Sequence, residues 1–299
     1  MRQADYPAQH RRIRAQRYLG QECVCQGWSG MLKLKGAFVH DQGLNDEIAS
    51  LRFTDGHFIN ARGQKLFYCA AFPPESVPLR GVALFLHGIG EHSLRFTHVY
   101  RHLCLNGYGV IAYDMLGHGQ SECESLGCVH TGPSSTSSWT TLTIIMGISF
   151  GALVALNTIL SGKHHFSGCV VASPAIAVEY TLGLRIMETV SKPLVWMFPT
   201  ARLVAGVNFA GLTRDPEFLK DYMADPLNVT ENLTTLMAVQ DPNSTFCKVP
   251  LLVLQGTEDK VTSVKVVEDF MGRAANKDKE LKLSRGSSTA FGTNRRSNR

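Results

Sequence analysis

A serine between two glycines is the sharpest chemical signal in this sequence. The motif Gly147-Ile148-Ser149-Phe150-Gly151 follows an apolar run at 142–146 and precedes a helix-like run at 152–160. Glycines on both sides permit a sharp turn from strand to helix, so the serine hydroxyl projects above the sheet edge. The motif predicts a nucleophile elbow with Ser149 as the nucleophile. A tight structural turn is the alternative reading.

A second glycine-rich turn lies upstream, in the order that the chemistry requires. The turn His87-Gly88-Ile89-Gly90 follows an apolar run at 82–86. Its backbone can present an N–H group to a developing oxyanion. We therefore predict the N–H groups of Ile89 and Phe150 as the two oxyanion donors. In such a turn His87 is interpreted as structural support rather than as a catalytic base.

The third group that serine chemistry needs is an acid. Gln255-Gly256-Thr257-Glu258-Asp259 follows the apolar run 251–254. A carboxylate at a strand end can orient and stabilise a histidine above the same sheet edge. Asp259 is the candidate, with Glu258 as its neighbour. The alternative is that Asp259 only precedes the helix predicted at 263–275, where its negative charge would stabilise the helix N-terminus.

The elements that must position these groups are short, wholly apolar runs separated by turns and helices. Such runs are typical of strands buried on both faces of a parallel sheet, which predicts an α/β fold. They are found at 82–86, 109–113, 142–146, 169–172 and 251–254. Before them, 51–54 and 57–60 predict a hairpin around Asp55-Gly56, and 64–71 predicts a further strand.

Taken together, these motifs resemble the monoacylglycerol lipase family of the α/β-hydrolase fold. The resemblance covers roughly residues 46–286 and includes Asp225-Pro226-Leu227 and the turn Gly117-His118-Gly119-Gln120-Ser121. It implies a mostly parallel sheet with an inserted helical cap whose apolar face admits acyl chains. The predicted organisation is a basic extension (1–45), a core in two parts (46–176 and 248–284), a cap (177–247) and a disordered basic tail (285–299). The crossover helix before the elbow and the C-terminal helix look incomplete.

The sequence departs from this family at the triad histidine. All eleven histidines lie at or before His165, so none follows Asp259. The family places its histidine in a pattern similar to L-K-x-x-x-G-x-x-H. Residues 281–289 keep this pattern, except that Thr289 occupies the position of the histidine. Threonine cannot act as a base near neutral pH.

Three functional hypotheses follow. The first is a serine ester hydrolase that cleaves monoacylglycerol or lysolipid-like esters through an acyl-enzyme. The second is a catalytically inactive acyl-binding or interaction protein, and the third is an enzyme in which an upstream histidine, His87, His92 or His118, reaches Ser149. A frame change or a missed splice junction in the gene would also account for the sequence at 122–141 and 284–299.

Composition and charge indicate which partners the protein can bind and which cellular compartment suits it. The chain has 299 residues and a net charge of +5, but its two ends hold the excess, and residues 37–284 carry 19 basic and 23 acidic side chains. This balance argues against nucleic acid as a partner. Eight scattered cysteines predict reduced thiols in a cytoplasmic setting. No metal or organic cofactor is implied, and the cap predicts a peripheral, reversible membrane contact.

Overall fold

The computed structural model describes residues 50–122, 143–176, 213, 216–228 and 249–285. The predicted N-terminal extension, the segment 123–142 before the elbow, most of the predicted cap and the tail from residue 286 lie outside these ranges. The domain boundaries therefore stay predictions.

Eight strands form one sheet in the order β1-β2-β4-β3-β5-β6-β7-β8. β2 pairs antiparallel with β1 and β4, whereas every pairing from β4 through β3 to β8 is parallel. The strands are β1 (Arg52–Ile59), β2 (Lys65–Phe72), β3 (Gly81–Leu86), β4 (Tyr108–Tyr113), β5 (Thr143–Ile148), β6 (Gly168–Ala172), β7 (Leu251–Gly256) and β8 (Lys279–Ser284). The described helices are α1 (Thr97–Leu105), α2 (Phe150–Leu160), α3 (Pro216–Ala224) and α4 (Val264–Arg273).

The predicted α/β fold with a mostly parallel sheet is confirmed, and each parallel strand predicted from an apolar run is present within a few residues of its expected bounds. The hairpin around Asp55-Gly56 is wrong. Both residues lie inside the continuous strand β1, paired with Cys69 and Tyr68 of β2. The chain reverses instead at Asn60–Gln64, where the Asn60 N–H donates to the Gln64 carbonyl over 2.9 Å.

The two faces of the sheet are covered by different helices because successive strand side chains point to opposite sides. Along β3, Ala83 and Phe85 pack with Phe96 and Tyr100 at helix α1. Leu84 and Leu86 belong to the cluster on the other face, which α2 and α4 cover with apolar residues that include Ala152, Leu156, Val267 and Phe270. The chemistry-bearing turns all follow strands of this doubly covered sheet.

In the described part of the chain, no helix is both long enough and apolar enough to cross a bilayer.

Helix α2 approaches strand β3 closely at Gly151. A Cβ at this position would lie 2.2 Å from the Leu86 carbonyl oxygen and 2.4 Å from the His87 carbonyl oxygen. Both obstacles are backbone atoms, so they cannot rotate away. Glycine at 151 is therefore a packing requirement of the sheet.

We expect Gly151→Ala to lower the free energy of unfolding by about 2–3 kcal/mol, because the added methyl forces helix and strand apart. The matched control is Gly272→Ala near the end of α4, where a Cβ would meet nothing within 4 Å. There alanine should stabilise the helix by roughly 0.5–1 kcal/mol. Urea denaturation measures the free energy of unfolding of both variants. Equal changes in the two would contradict the packing argument.

Candidate active site

Ser149 sits between β5 and α2 in a strained conformation. Its φ of 52° and ψ of −115° lie on the positive-φ side that L-residues rarely adopt. Backbone hydrogen bonds hold it there. The Ser149 N–H donates to the Ala172 carbonyl over 2.9 Å, and its own carbonyl accepts from the N–H groups of Leu153 and Ala175. Strain of this kind persists only where the surroundings fix it, and it concentrates at functional sites.

The flanking glycines make this turn sterically possible. A Cβ on Gly147 would lie 2.5 Å from the Gly151 carbonyl oxygen and 2.7 Å from the Ala152 nitrogen. Any side chain at position 147 would therefore push the first turn of α2 off the end of β5. This is the geometry that the glycine-flanked serine predicts.

The turn at 87–90 lies against the serine. A Cβ on Gly88 would stand 3.6 Å from the Ser149 Cβ. Phe150 is the first residue of α2, and the N–H groups of a first helical turn have no acceptor inside their own helix. The turn that carries Ile89 and the N-terminus of α2 thus meet at one place beside Ser149.

His87 has a structural environment. It is fully buried, its Nδ1 lies 2.7 Å from the Gly88 carbonyl oxygen, and its Nε2 accepts from the Met115 N–H over 2.9 Å. These partners assign the proton to Nδ1. Burial, and next the charge of neighbouring His118, hold the pKa of His87 well below its usual value. His87 is therefore neutral at physiological pH, with both ring nitrogens engaged.

The other two histidines named as replacement bases also have partners away from the serine. His92 Nε2 lies 2.8 Å from an Asp225 carboxylate oxygen, and His118 Nδ1 lies 3.0 Å from the Leu116 carbonyl oxygen. His92 Nδ1 and His118 Nε2 are buried and have no hydrogen-bond partner among the described residues. Within the described residues, no hydrogen bond joins His87, His92 or His118 to Ser149.

Asp259 lies just beyond β7, at the strand end where the sequence places it. One carboxylate oxygen accepts from the N–H groups of Val261 and Thr262, both at 2.9 Å, and the other accepts from the Thr262 hydroxyl at 2.6 Å and the Gln255 amide at 3.2 Å. Helix α4 is capped by Ser263 and not by this acid. Thr289, the position of the missing histidine, lies outside the described residues.

Four charged or titratable side chains join the turn at 87–90 to the segment after α3. His92 and Arg95 approach the same Asp225 oxygen at 2.8 and 3.3 Å, and Arg95 Nε lies 3.9 Å from a Glu91 oxygen. Tyr222 of α3 adds a hydrogen bond from its hydroxyl to the Gly90 carbonyl over 3.1 Å. We call Glu91, His92, Arg95 and Asp225 the carboxylate cluster.

Sequence reasoning gave neither Glu91 nor Asp225 a role, although Asp225 lies in one of the family-like motifs. The Glu91–Arg95 spacing of four residues was a readable signal for an ion pair, although Glu91 lies in the loop before the short 3-10 helix Ser93–Phe96 and not on a helix. Asp225 offered no such signal, since its partners lie 130 and 133 positions away in the chain. Only the fold brings them together.

Asp225 generates a prediction about acid stability. Burial raises its pKa, but the hydrogen bond and charge of His92, the Leu227 N–H and the charge of Arg95 outweigh burial and bring the pKa down to about 2. A folded-state pKa below the unfolded one stabilises the fold above the unfolded value, and this contribution disappears as the pH falls through the folded value. We therefore expect Asp225→Asn to cost about 2 kcal/mol at neutral pH.

The difference in the free energy of unfolding between wild type and Asp225→Asn should shrink as the pH falls from about 4 to about 2. Chemical denaturation across this range measures it, with Asp221→Asn on the exposed side of α3 as the control. A constant difference at every pH would contradict the electrostatic origin.

Comparison with known proteins finds a family model and several relatives that match most of this chain. The family model described as serine aminopeptidase, S33 (Hydrolase_4) matches residues 77–288, a span that includes Ile89, Ser149 and Asp259. The monoglyceride lipase of Homo sapiens is 28% identical over 249 residues, which cover 77% of this chain and 81% of that protein.

Two solved structures share the fold. A soluble variant of the Saccharomyces cerevisiae monoglyceride lipase superposes with a TM-score of 0.63 at 21% identity, covering 78% of this chain and 86% of that one. The monoacylglycerol lipase of Paleococcus ferrophilus gives 0.61 at 24% identity, covering 75% and 90%. The chain therefore belongs to the Hydrolase_4 family of α/β-hydrolases and is a monoglyceride lipase-like member of it.

Proposed function

We propose that this chain hydrolyses carboxylic esters of the monoacylglycerol or lysolipid type through an acyl-enzyme on Ser149. The observation that carries the proposal is the strained Ser149 at the strand-to-helix turn, with the turn at 87–90 against one side and the N-terminus of α2 directly after it. A serine hydroxyl held in this way is exposed to a carbonyl carbon that approaches from above the sheet edge.

In the proposed reaction, Ser149 Oγ attacks the ester carbonyl and the N–H groups of Ile89 and Phe150 stabilise the oxyanion. The leaving alcohol takes the proton that the Ser149 hydroxyl gives up. Water then hydrolyses the acyl-enzyme and returns a proton to Ser149 Oγ. Asp259 is proposed as the acid that orients a basic group in this site. Its hydrogen bonds to the loop that follows β7 support this role, because they fix the carboxylate.

The substrate class is supported by the relatives. The proteins similar to this chain include monoglyceride lipases from a mammal, a yeast and a mycobacterium, at 25–28% identity. A phospholipase of Bacillus subtilis is 24% identical over 214 residues. The monoglyceride lipase names refer to esters with one acyl chain, and the predicted apolar cap suits such a chain.

A second candidate function is acyl binding without turnover. One observation favours it: no histidine follows Asp259 in the sequence, so the order serine, acid, histidine is incomplete. Without a basic group, the oxyanion donors and substrate binding sustain only a residual rate.

Ser149→Ala separates these two functions. We expect the purified chain to release fatty acid from a monoacylglycerol, and the substitution to reduce that release to the residual level of binding and oxyanion stabilisation, because the nucleophile is gone. Ser161→Ala, at the exposed end of the same helix, should keep full activity. A folded wild-type chain that releases no more fatty acid than Ser149→Ala would leave acyl binding as the function.

We also propose a peripheral, reversible contact of the cap with membranes. Helix α3 in the cap segment carries Met223, which is 51% exposed. An exposed apolar side chain can enter the headgroup region, where each buried methylene contributes about 0.8 kcal/mol.

Met223→Ser should therefore lower co-sedimentation with phosphatidylcholine vesicles by several fold. Leu105→Ser, at an exposed apolar position outside the cap, should leave it unchanged. Equal binding of both variants would contradict a contact through the cap.

A further inference from the structure

Glu91 places a carboxyl group next to the serine. A Cβ on Gly88 would lie 2.4 Å from Glu91 Oε2 and 3.6 Å from the Ser149 Cβ. Glu91 Oε2 and the Ser149 side chain thus both lie next to the Gly88 Cα, and the carboxyl stands too close to leave room for a Cβ there. Because both lie close to this one point, Glu91 Oε2 is within about 6 Å of the Ser149 Cβ, a separation that a side-chain rotation or one bridging water can close.

The Glu91 carboxyl is largely withdrawn from solvent, with 14% of the side chain exposed. Burial raises its pKa, while the charges of Arg95 and His92 and a hydrogen bond from the Gly88 backbone oppose that rise. The titratable and charged groups around Glu91 are Arg95 and His92 on the same loop, Tyr100 of α1, Tyr222 of α3, and Asp225, which follows α3. A carboxyl whose proton affinity is raised in this way is a stronger base than a free glutamate.

The proximity of Glu91 to Ser149 matters because the sequence has no histidine at the position of the triad base. No histidine follows Asp259, and His87, His92 and His118 make their hydrogen bonds to other groups. Glu91 has one oxygen towards Arg95 and the other, Oε2, beside Gly88 and close to Ser149. Of these four groups, Glu91 is the one for which the structure shows a titratable atom bordering the serine.

We propose that Glu91 is the general base and general acid of this chain, in place of the triad histidine. The proposal rests on the esterase function proposed above. Acylation moves the Ser149 hydroxyl proton to Glu91 Oε2 as the Oγ–carbon bond forms. Collapse of the tetrahedral intermediate breaks the bond between carbon and the leaving oxygen, and Glu91 returns the proton to that alcohol.

Deacylation repeats the transfer with water. Glu91 takes one proton of a water molecule as its oxygen bonds to the acyl carbon. The bond to Ser149 Oγ then breaks, and Glu91 returns the proton to Oγ. One ester and one water become one acid and one alcohol, so no other reactant is needed.

Glu91→Gln tests the proposal, because glutamine keeps the size of the side chain and removes the basic oxygen. The substrate is a 4-nitrophenyl ester, which has no glycerol group to bind and whose leaving group departs without a proton. We expect kcat/KM to fall by about 10²–10⁴ fold. The matched control, Glu268→Gln on the exposed face of α4, should keep the wild-type value.

A rescue distinguishes a base from a structural residue. In the double variant Glu91→Gln/Thr289→His, an imidazole at the family's usual position should restore activity on the same ester at least about tenfold over Glu91→Gln. Thermal unfolding is measured on every variant. If Glu91→Gln is destabilised, Glu91→Asp takes its place, and it should lower kcat with the acidic limb of the pH–rate profile retained.

The outcomes are distinct. Glu91→Gln within about threefold of wild type, with Ser149→Ala inactive, would overturn the role of Glu91 and leave the esterase function standing. A loss on monoacylglycerol but not on the 4-nitrophenyl ester would also overturn it, since Glu91 would then bind the head group. A folded wild-type chain without Ser149-dependent turnover would overturn both the function and this inference.

Discussion

The site depends on one steric constraint, the close contact between the start of α2 and the ends of β3 and β5. Gly151 meets the carbonyl oxygens of Leu86 and His87, and Gly147 meets the backbone of Gly151. With no Cβ at either position, the helix can begin directly above the strand ends and hold Ser149 at positive φ. The same contact brings the turn at 87–90 beside the serine. Ser149, the predicted oxyanion donors Ile89 and Phe150, and Glu91 are therefore neighbours for one packing reason.

A second layer of interactions holds that turn from the other side. Asp225 accepts from His92 and Arg95, and Tyr222 donates to the Gly90 carbonyl. These contacts connect the end of α3, in the segment predicted to form a cap, to the loop that carries Glu91. Buried charges of this kind need several partners at once, because an unpaired one costs several kcal/mol. The carboxylate cluster thus couples the position of α3 to the geometry beside Ser149.

Much of this fold could be predicted from the sequence, because strands buried on both faces leave uninterrupted apolar runs, and the sharp turns after them require glycine. The error at Asp55-Gly56 has a physical cause. This pair is a strong turn signal in isolation, but pairing along the whole of β2 keeps β1 extended through it. The true reversal at Asn60–Gln64 is stabilised by the Asn60 side chain, which accepts from the Arg62 and Gln64 N–H groups.

The positions of Ser149 and Asp259 just after strands could also be predicted, since each belongs to a local pattern at a strand end. Glu91 and Asp225 could not be assigned roles, because their importance comes from burial and from partners distant in sequence. The extension, most of the cap, the crossover segment and the tail remain predictions, since they lie outside the described residues.

The central claim is that the elbow makes Ser149 a reactive nucleophile. The most direct measurement is intact-mass and peptide mass spectrometry after incubation with an alkyl fluorophosphonate, which transfers one phosphonyl group to an activated serine. The account predicts one adduct per chain, located on the peptide that contains Ser149 and absent after heat denaturation. A folded chain that carries no adduct, or carries it on another residue, would contradict the claim.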